Sequence, residues 1–143
     1  MAKDIRVVLI KLADRTHNVQ TLESLSEERQ RRIARETIDI YAPIANRLGI
    51  GWLNTKLENG SFRYLYPEEY RAIEEKVARG KEYRDKYVEK SIARLEKESK
   101  VVEIKGQVAG RPKNYYSIYK KMLDQSIGFE DVYDLVGLRV LTD

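Results

Sequence analysis

Cysteine is absent from the 143 residues, and histidine occurs once, as His17. The first absence removes disulfide frameworks, thiolate metal sites and a cysteine nucleophile. The second leaves a zinc site or a histidine-based catalytic pair without the ligands it needs. Nor does any apolar run approach the roughly 20 residues that span a bilayer. The N-terminus, Met1-Ala2-Lys3-Asp4, enters an amphipathic stretch with no apolar signal core. The expectation is a soluble, cytoplasmic protein with no membrane partner. What is abundant is charge: 35% of residues are charged against 42% hydrophobic, which points to a surface-rich, mainly helical chain. Lysine and arginine (27) exceed aspartate and glutamate (23), leaving +4. That mild bias favours anionic partners without separating nucleotides from nucleic acid.

Apolar spacing predicts a helix over 4–22, capped by Asp4, with Ile5, Val8, Leu9, Leu12 and Thr16 on one face. Ser24 and Glu27 form a capping-box pattern before a second helix over 28–48. Its stripe is Ile33, Thr37, Ile40, Tyr41, Ile44 and Leu48, and Pro43 is expected to kink it near Asp39. A third helix is expected over 53–64, weakened by Asn59-Gly60. Pro67-Glu68-Glu69 restarts a helix that stops near Gly80. A further helix over 81–99 places Tyr83, Tyr87, Ile92 and Leu95 on one side. Residues 101–108 then read as a strand, 109–113 as a loop, 115–125 as a helix and 132–141 as a second strand. Two strands around one crossover helix leave sheet faces uncovered, so the chain reads as stopping inside a domain.

Three clusters can carry chemistry. In the first, Asp14 and Asn18 share a helix face, beside Arg15 and His17. A carboxylate with an amide one turn away suits a hard metal or a phosphate. The alternative is a solvated helix end in which Asp14 pairs with Arg15 or Lys11. The second cluster is the 100–121 stretch, where six basic residues (Lys100, Lys105, Arg111, Lys113, Lys120, Lys121) face one acid, Glu103. Gly110 admits a close ligand, Arg111 forks onto phosphate or stacks on a base, and Lys113 supplies a point charge. A helix starting near Asn114 adds its positive end, with Ser117 and Lys121 facing the same way. This is the pattern of a polyphosphate site, and equally of a basic loop or a nucleic-acid surface with interleaved tyrosines. In the third, Asp134 opens an apolar strand, where a carboxylate holds Mg²⁺ against phosphates or simply caps a turn. Arg139 in the same strand either faces phosphates or forms an ion pair.

Taken in order, these motifs resemble the RelA/SpoT homologue family, which makes and destroys the alarmone (p)ppGpp. KLADRTHNVQTL (11–22) is similar to the last signature of the family's HD-type hydrolase, and YAPIANRLGI (41–50) to the helical exit from it. GRPK (110–113) with YSIYKKM (116–122) resembles the opening of the synthetase, and YDLVGLRV (133–140) its magnesium-binding strand. The resemblance implies an all-helical hydrolase portion over 1–52, connecting helices over 53–99, and the start of a nucleotidyltransferase-like synthetase over 100–143. The implied fold class is mainly α with a small C-terminal α/β portion.

The roles it implies are specific. Asp14 matches a Mn²⁺ ligand, and Asn18 and Thr21 match residues of the hydrolase nucleotide pocket. Arg111 matches an arginine that stacks on the ATP adenine, Lys113, Ser117 and Lys121 match residues near the phosphates, and Asp134 matches a Mg²⁺ ligand. The implied reactions are transfer of pyrophosphate from ATP to the 3′-hydroxyl of GDP or GTP, and metal-dependent hydrolysis of (p)ppGpp, in the stringent response. The family's other hydrolase ligands precede Asp14 and its further synthetase residues follow Asp143. This chain by itself is therefore expected to catalyse neither reaction, to bind a ribosome only through regions outside it, and to self-associate through uncovered apolar surface. Thr16 and Gln20 depart from the leucine and arginine commoner in the family. The rival reading is a small basic helical module that binds nucleic acid or another partner through 100–121, with steep salt dependence.

Overall fold

Asp4 caps the first helix as its position predicts: its carboxylate accepts from the Arg6 amide at 2.9 Å. A computed structural model describes residues 4–101 and 106–142, without the side chains at 100, 101, 111 and 112. The helices are α1 (Ile5–Gln20), α2 (Glu27–Glu36), α3 (Ala42–Arg47), α4 (Gly51–Leu65), α5 (Pro67–Arg79), α6 (Lys81–Val101) and α7 (Tyr115–Gln125). Strand β1 (Gly106–Pro112) precedes α7 and β2 (Val136–Thr142) follows it. The chain is thus mainly helical with a small C-terminal α/β part, the expected class. It forms two compact units, Met1–Arg71 and Ala72–Asp143. No helix among the described residues is long and apolar enough to cross a membrane.

In the first unit, Leu12, Val19, Ala42, Ala45, Leu53 and Leu57 form the core, with Val8, Tyr41, Ile44 and Ile50 against it. Leu12 of the α1 stripe is buried, whereas Ile5 and Leu9 are exposed. Gly60 explains itself here: a Cβ at that position would collide with the Val19 side chain, so the glycine that weakens α4 also lets α1 approach it. The expected capping box does not form. Ser26 is the N-cap of α2, and the Ser24 hydroxyl instead donates to the Thr21 carbonyl at 2.9 Å.

The predicted kink is a π-helical turn, Thr37–Tyr41. Pro43 has no N–H, so the Asp39 carbonyl lacks its α-helical donor, and the Ala42 amide reaches back to Thr37. The wider turn rotates the faces that follow. Of the predicted stripe only Thr37 is fully buried, its hydroxyl donating to the Ile33 carbonyl at 2.6 Å. Ile40 and Leu48 are exposed, and Ala34, Ile38, Ala42 and Ala45 are buried in their place.

The second unit corrects the strand boundaries. Val101 ends α6, residues 102–105 lie outside the described residues, and the stretch expected to be a loop, 109–113, is largely β1. The strands pair antiparallel, from Gly106 opposite Thr142 to Pro112 opposite Val136, and not in the crossover arrangement expected. The physical reason is that α7 runs out and residues 126–135 run back, so the chain re-enters the sheet at the end where it left. The face of α6 that meets β1 carries Val88 and Ile92, whose methyls line the space beside Gly110. Tyr83 and Tyr87, placed by periodicity on one side with Ile92 and Leu95, are exposed.

Candidate functional site

The β1–β2 ladder continues past its last pair, because the Lys113 amide donates to the Leu135 carbonyl at 3.1 Å. This register brings Asp134 opposite Asn114, the N-cap of α7. Asn114 is buried, and its side-chain oxygen accepts from the Tyr116 amide at 2.9 Å, fixing where the helix begins. The end of β1, α7 and the approach to β2 therefore meet at one point. Lys113 donates to Oδ2 of Asp134, and Lys121, two turns into α7, donates to Oδ1 at 2.7 Å. Ser117 lies one turn before Lys121 on the same helix face.

Burial and charge fit an anion site. The lysine side chains are 22% and 30% exposed and the aspartate 52%, so the cluster sits at a rim with its lysine stems mostly covered. The Lys113 ammonium, then that of Lys121, holds the Asp134 carboxyl well below its ordinary value, at about 2. Lys113 also borders a cavity of about 500 Å³ whose apolar lining includes Val77, Val88, Ile118 and Leu135. Arg84 braces that cavity by donating to the Val77 carbonyl. No sequence signal marks this arginine, since the contact spans the junction of two helices.

Other expected positions fall out differently. The backbone of Arg111 lies in β1 opposite Gly137, and its side chain is outside the described residues. Gly110 is read from sequence as admitting a ligand, but what approaches it is the Val88 side chain, 2.6 Å from where a Cβ would sit. Arg139 is exposed on β2 opposite Ala109.

In the first cluster, the Asn18 amide donates to Asp14 at 3.2 Å, and the Thr21 hydroxyl donates to the His17 carbonyl at 3.2 Å. Asp14 takes neither of the cationic partners suggested for it. Arg15 turns to Glu36 at 3.1 Å and lies over the Tyr41 ring at 4.3 Å, tying α1 to the helix that follows.

Among the described residues, no three acidic, histidine or cysteine side chains converge. Asp14 itself offers a metal one carboxylate, too little to hold Mn²⁺ alone. Asp134 also offers one, but Mg²⁺ is commonly held by one or two carboxylates together with substrate phosphates. A hard oxygen donor beside two ammonium groups suits that chemistry.

Comparison with known proteins agrees with the motifs. Residues 1–51 match an HD domain, and residues 110–143 match the region found in RelA/SpoT proteins. The chain is 52% identical to a GTP pyrophosphokinase of Myxococcus xanthus, over 99% of this chain and 19% of that protein. It is 48% identical to a probable guanosine-3′,5′-bis(diphosphate) 3′-pyrophosphohydrolase of Synechocystis, over 100% and 19%. With the bifunctional (p)ppGpp synthase/hydrolase SpoT of Escherichia coli K12 the identity is 45%, over 100% and 20%. The chain spans about a fifth of the length of these relatives. Two family regions in order and a likeness along its full length thus make the chain similar to proteins of the RelA/SpoT family.

Proposed function

We propose that the chain contributes to alarmone metabolism: its C-terminal part to an ATP site for pyrophosphate transfer to the 3′-hydroxyl of GDP or GTP, its N-terminal part to a (p)ppGpp hydrolase. The observation that carries this is the convergence of Lys113, Lys121 and Asp134 at the head of α7. On this reading residues 1–52 end the HD-type hydrolase, 53–99 connect, and 100–143 begin the synthetase of a cytoplasmic enzyme. The names of the relatives support both activities.

Lys113 and Lys121 bind the phosphates, and Ser117 adds a hydroxyl from the same helix face as Lys121. The two ammonium groups, held side by side by the end of β1 and by α7, stabilise charge that develops on the departing phosphate oxygens. The N-terminus of α7 adds its partial positive charge. Arg111 takes the adenine. Asp134 is the Mg²⁺ ligand; the ion, when bound, neutralises the polyphosphate and orients it. In the hydrolase part, Asp14 supplies one Mn²⁺ ligand and Asn18 and Thr21 line the nucleotide pocket.

Calorimetric titration with a non-hydrolysable ATP analogue and Mg²⁺ tests the first part. Lys113→Ala and Lys121→Ala should each weaken binding about tenfold, some 1.4 kcal/mol. Unchanged affinity in both variants would sink the assignment.

A further inference from the structure

Asp134 has two carboxylate oxygens, and each accepts from a different lysine, Oδ2 from Lys113 and Oδ1 from Lys121. A carboxylate bridging two ammonium groups occupies them as one phosphate would, as a compact oxyanion with charge-assisted bonds. We propose that Asp134 competes with polyphosphate for Lys113 and Lys121, and so makes the site prefer the metal-complexed anion over the metal-free one. This rests on the nucleotide reading above and adds a selectivity to it.

The backbone is what makes the competition unavoidable. Asp134 precedes Leu135, whose carbonyl is bonded to the Lys113 amide, and Val136 pairs with Pro112 in the ladder. The carboxylate is thus held at the head of α7 by the sheet and does not swing away on a free loop. When a metal-free polyphosphate takes both lysines, Asp134 loses both cations and remains beside a ligand of its own sign. That repulsion is a direct penalty on the metal-free complex. A divalent cation shared by the carboxylate and the phosphates removes it, and every charge then has a partner. The discrimination falls on this carboxylate because it is the acid that both lysines contact.

The test is titration of the 143-residue chain with inorganic tripolyphosphate, once in EDTA and once in excess Mg²⁺. Wild type should bind at least about fivefold tighter with Mg²⁺, the lower range of coupling between linked sites. Asp134→Asn, isosteric and at a half-exposed position, should bind the metal-free anion at least about fivefold tighter than wild type and lose the Mg²⁺ gain. A second readout needs no variant. The Asp134 carboxyl carbon resonance of wild type should move when metal-free tripolyphosphate is added, as the carboxylate gives up its lysines. An Asp134→Asn chain that binds the metal-free anion no better, or a resonance unmoved at saturation, overturns the proposal. The ATP analogue separates the two readings. If it binds no tighter than tripolyphosphate while both effects appear, the competition stands and the nucleotide reading falls. If it binds far tighter while neither effect appears, the reverse holds.

Discussion

Two ammonium groups on one carboxylate keep Asp134 ionised far into acid. Its folded value of about 2 lies below the ordinary 3.8, so the contact's contribution to stability is fully present above about pH 4 and drains away as pH falls through about 2. With the side chain half exposed, solvent screening holds that contribution under about 1 kcal/mol. The effect is therefore better read at the residue than in a melting curve. A carbon NMR titration of the Asp134 carboxyl in EDTA should give a midpoint near 2 in wild type. The Lys113→Met, Lys121→Met double variant should return it towards 3.8. A wild-type midpoint near 4 would show that the lysines do not stay on the carboxylate in solution. Asp14 contrasts with it: its carboxylate accepts from the Asn18 amide, four residues along the same helix, and among the described residues no second element brings it a cation.

At the level of elements, the close approach of α6 to β1 depends on Gly110. A methyl there would meet Val88 Cγ1 at 2.6 Å, closer than real side chains come. Gly110→Ala should cost about 1–3 kcal/mol by overpacking, measured by urea unfolding. Adding Val88→Ala should recover much of that loss, because the two changes share one contact. A Gly110→Ala chain within about 0.5 kcal/mol of wild type would mean that α6 does not rest on the strand. The sequence carries the same Gly-Arg-Pro-Lys whether its glycine faces a ligand or a helix, which is why periodicity leaves that choice open. Local signals fare better. Asp4 is legible as a cap, and a helix start near Asn114 is legible too, because a cap is settled within three residues. The Asp14–Asn18 pair is legible because four residues make one helical turn. Pro43 announces a break, but which face turns inward after it depends on whether the freed carbonyl is answered by a kink or by a π turn. The Lys113–Asp134 contact, across 21 residues, depends on an antiparallel register that no local pattern encodes. For that pair the family motifs, not the spacing, bring the residues to one site.

Over the whole molecule, the surplus of +4 bears on the rival reading, a nucleic-acid surface. Duplex binding draws on several cations presented together to successive phosphates, and its affinity falls with salt in proportion to their number. Part of the positive charge is answered locally: Arg79 by Glu75 at 2.6 Å, Lys86 by Glu82 at 2.8 Å, Arg15 by Glu36 at 3.1 Å and Lys76 by Glu130 at 3.5 Å. Of the six basic residues that suggest a stripe, Lys113 and Lys121 converge on one aspartate. Converging cations suit a short polyphosphate, whereas a duplex backbone needs them spread along its length. In fluorescence anisotropy at about 0.15 M salt, a labelled 20-base-pair duplex should approach saturation only above about 100 µM, at or beyond the weak end of non-specific binding. Its logarithmic salt slope should be no steeper than about −2, as for two neutralised phosphates. Low-micromolar binding with a slope of about −5 or steeper would mean that the lysines leave Asp134 for a longer partner, and the nucleic-acid reading would then take precedence.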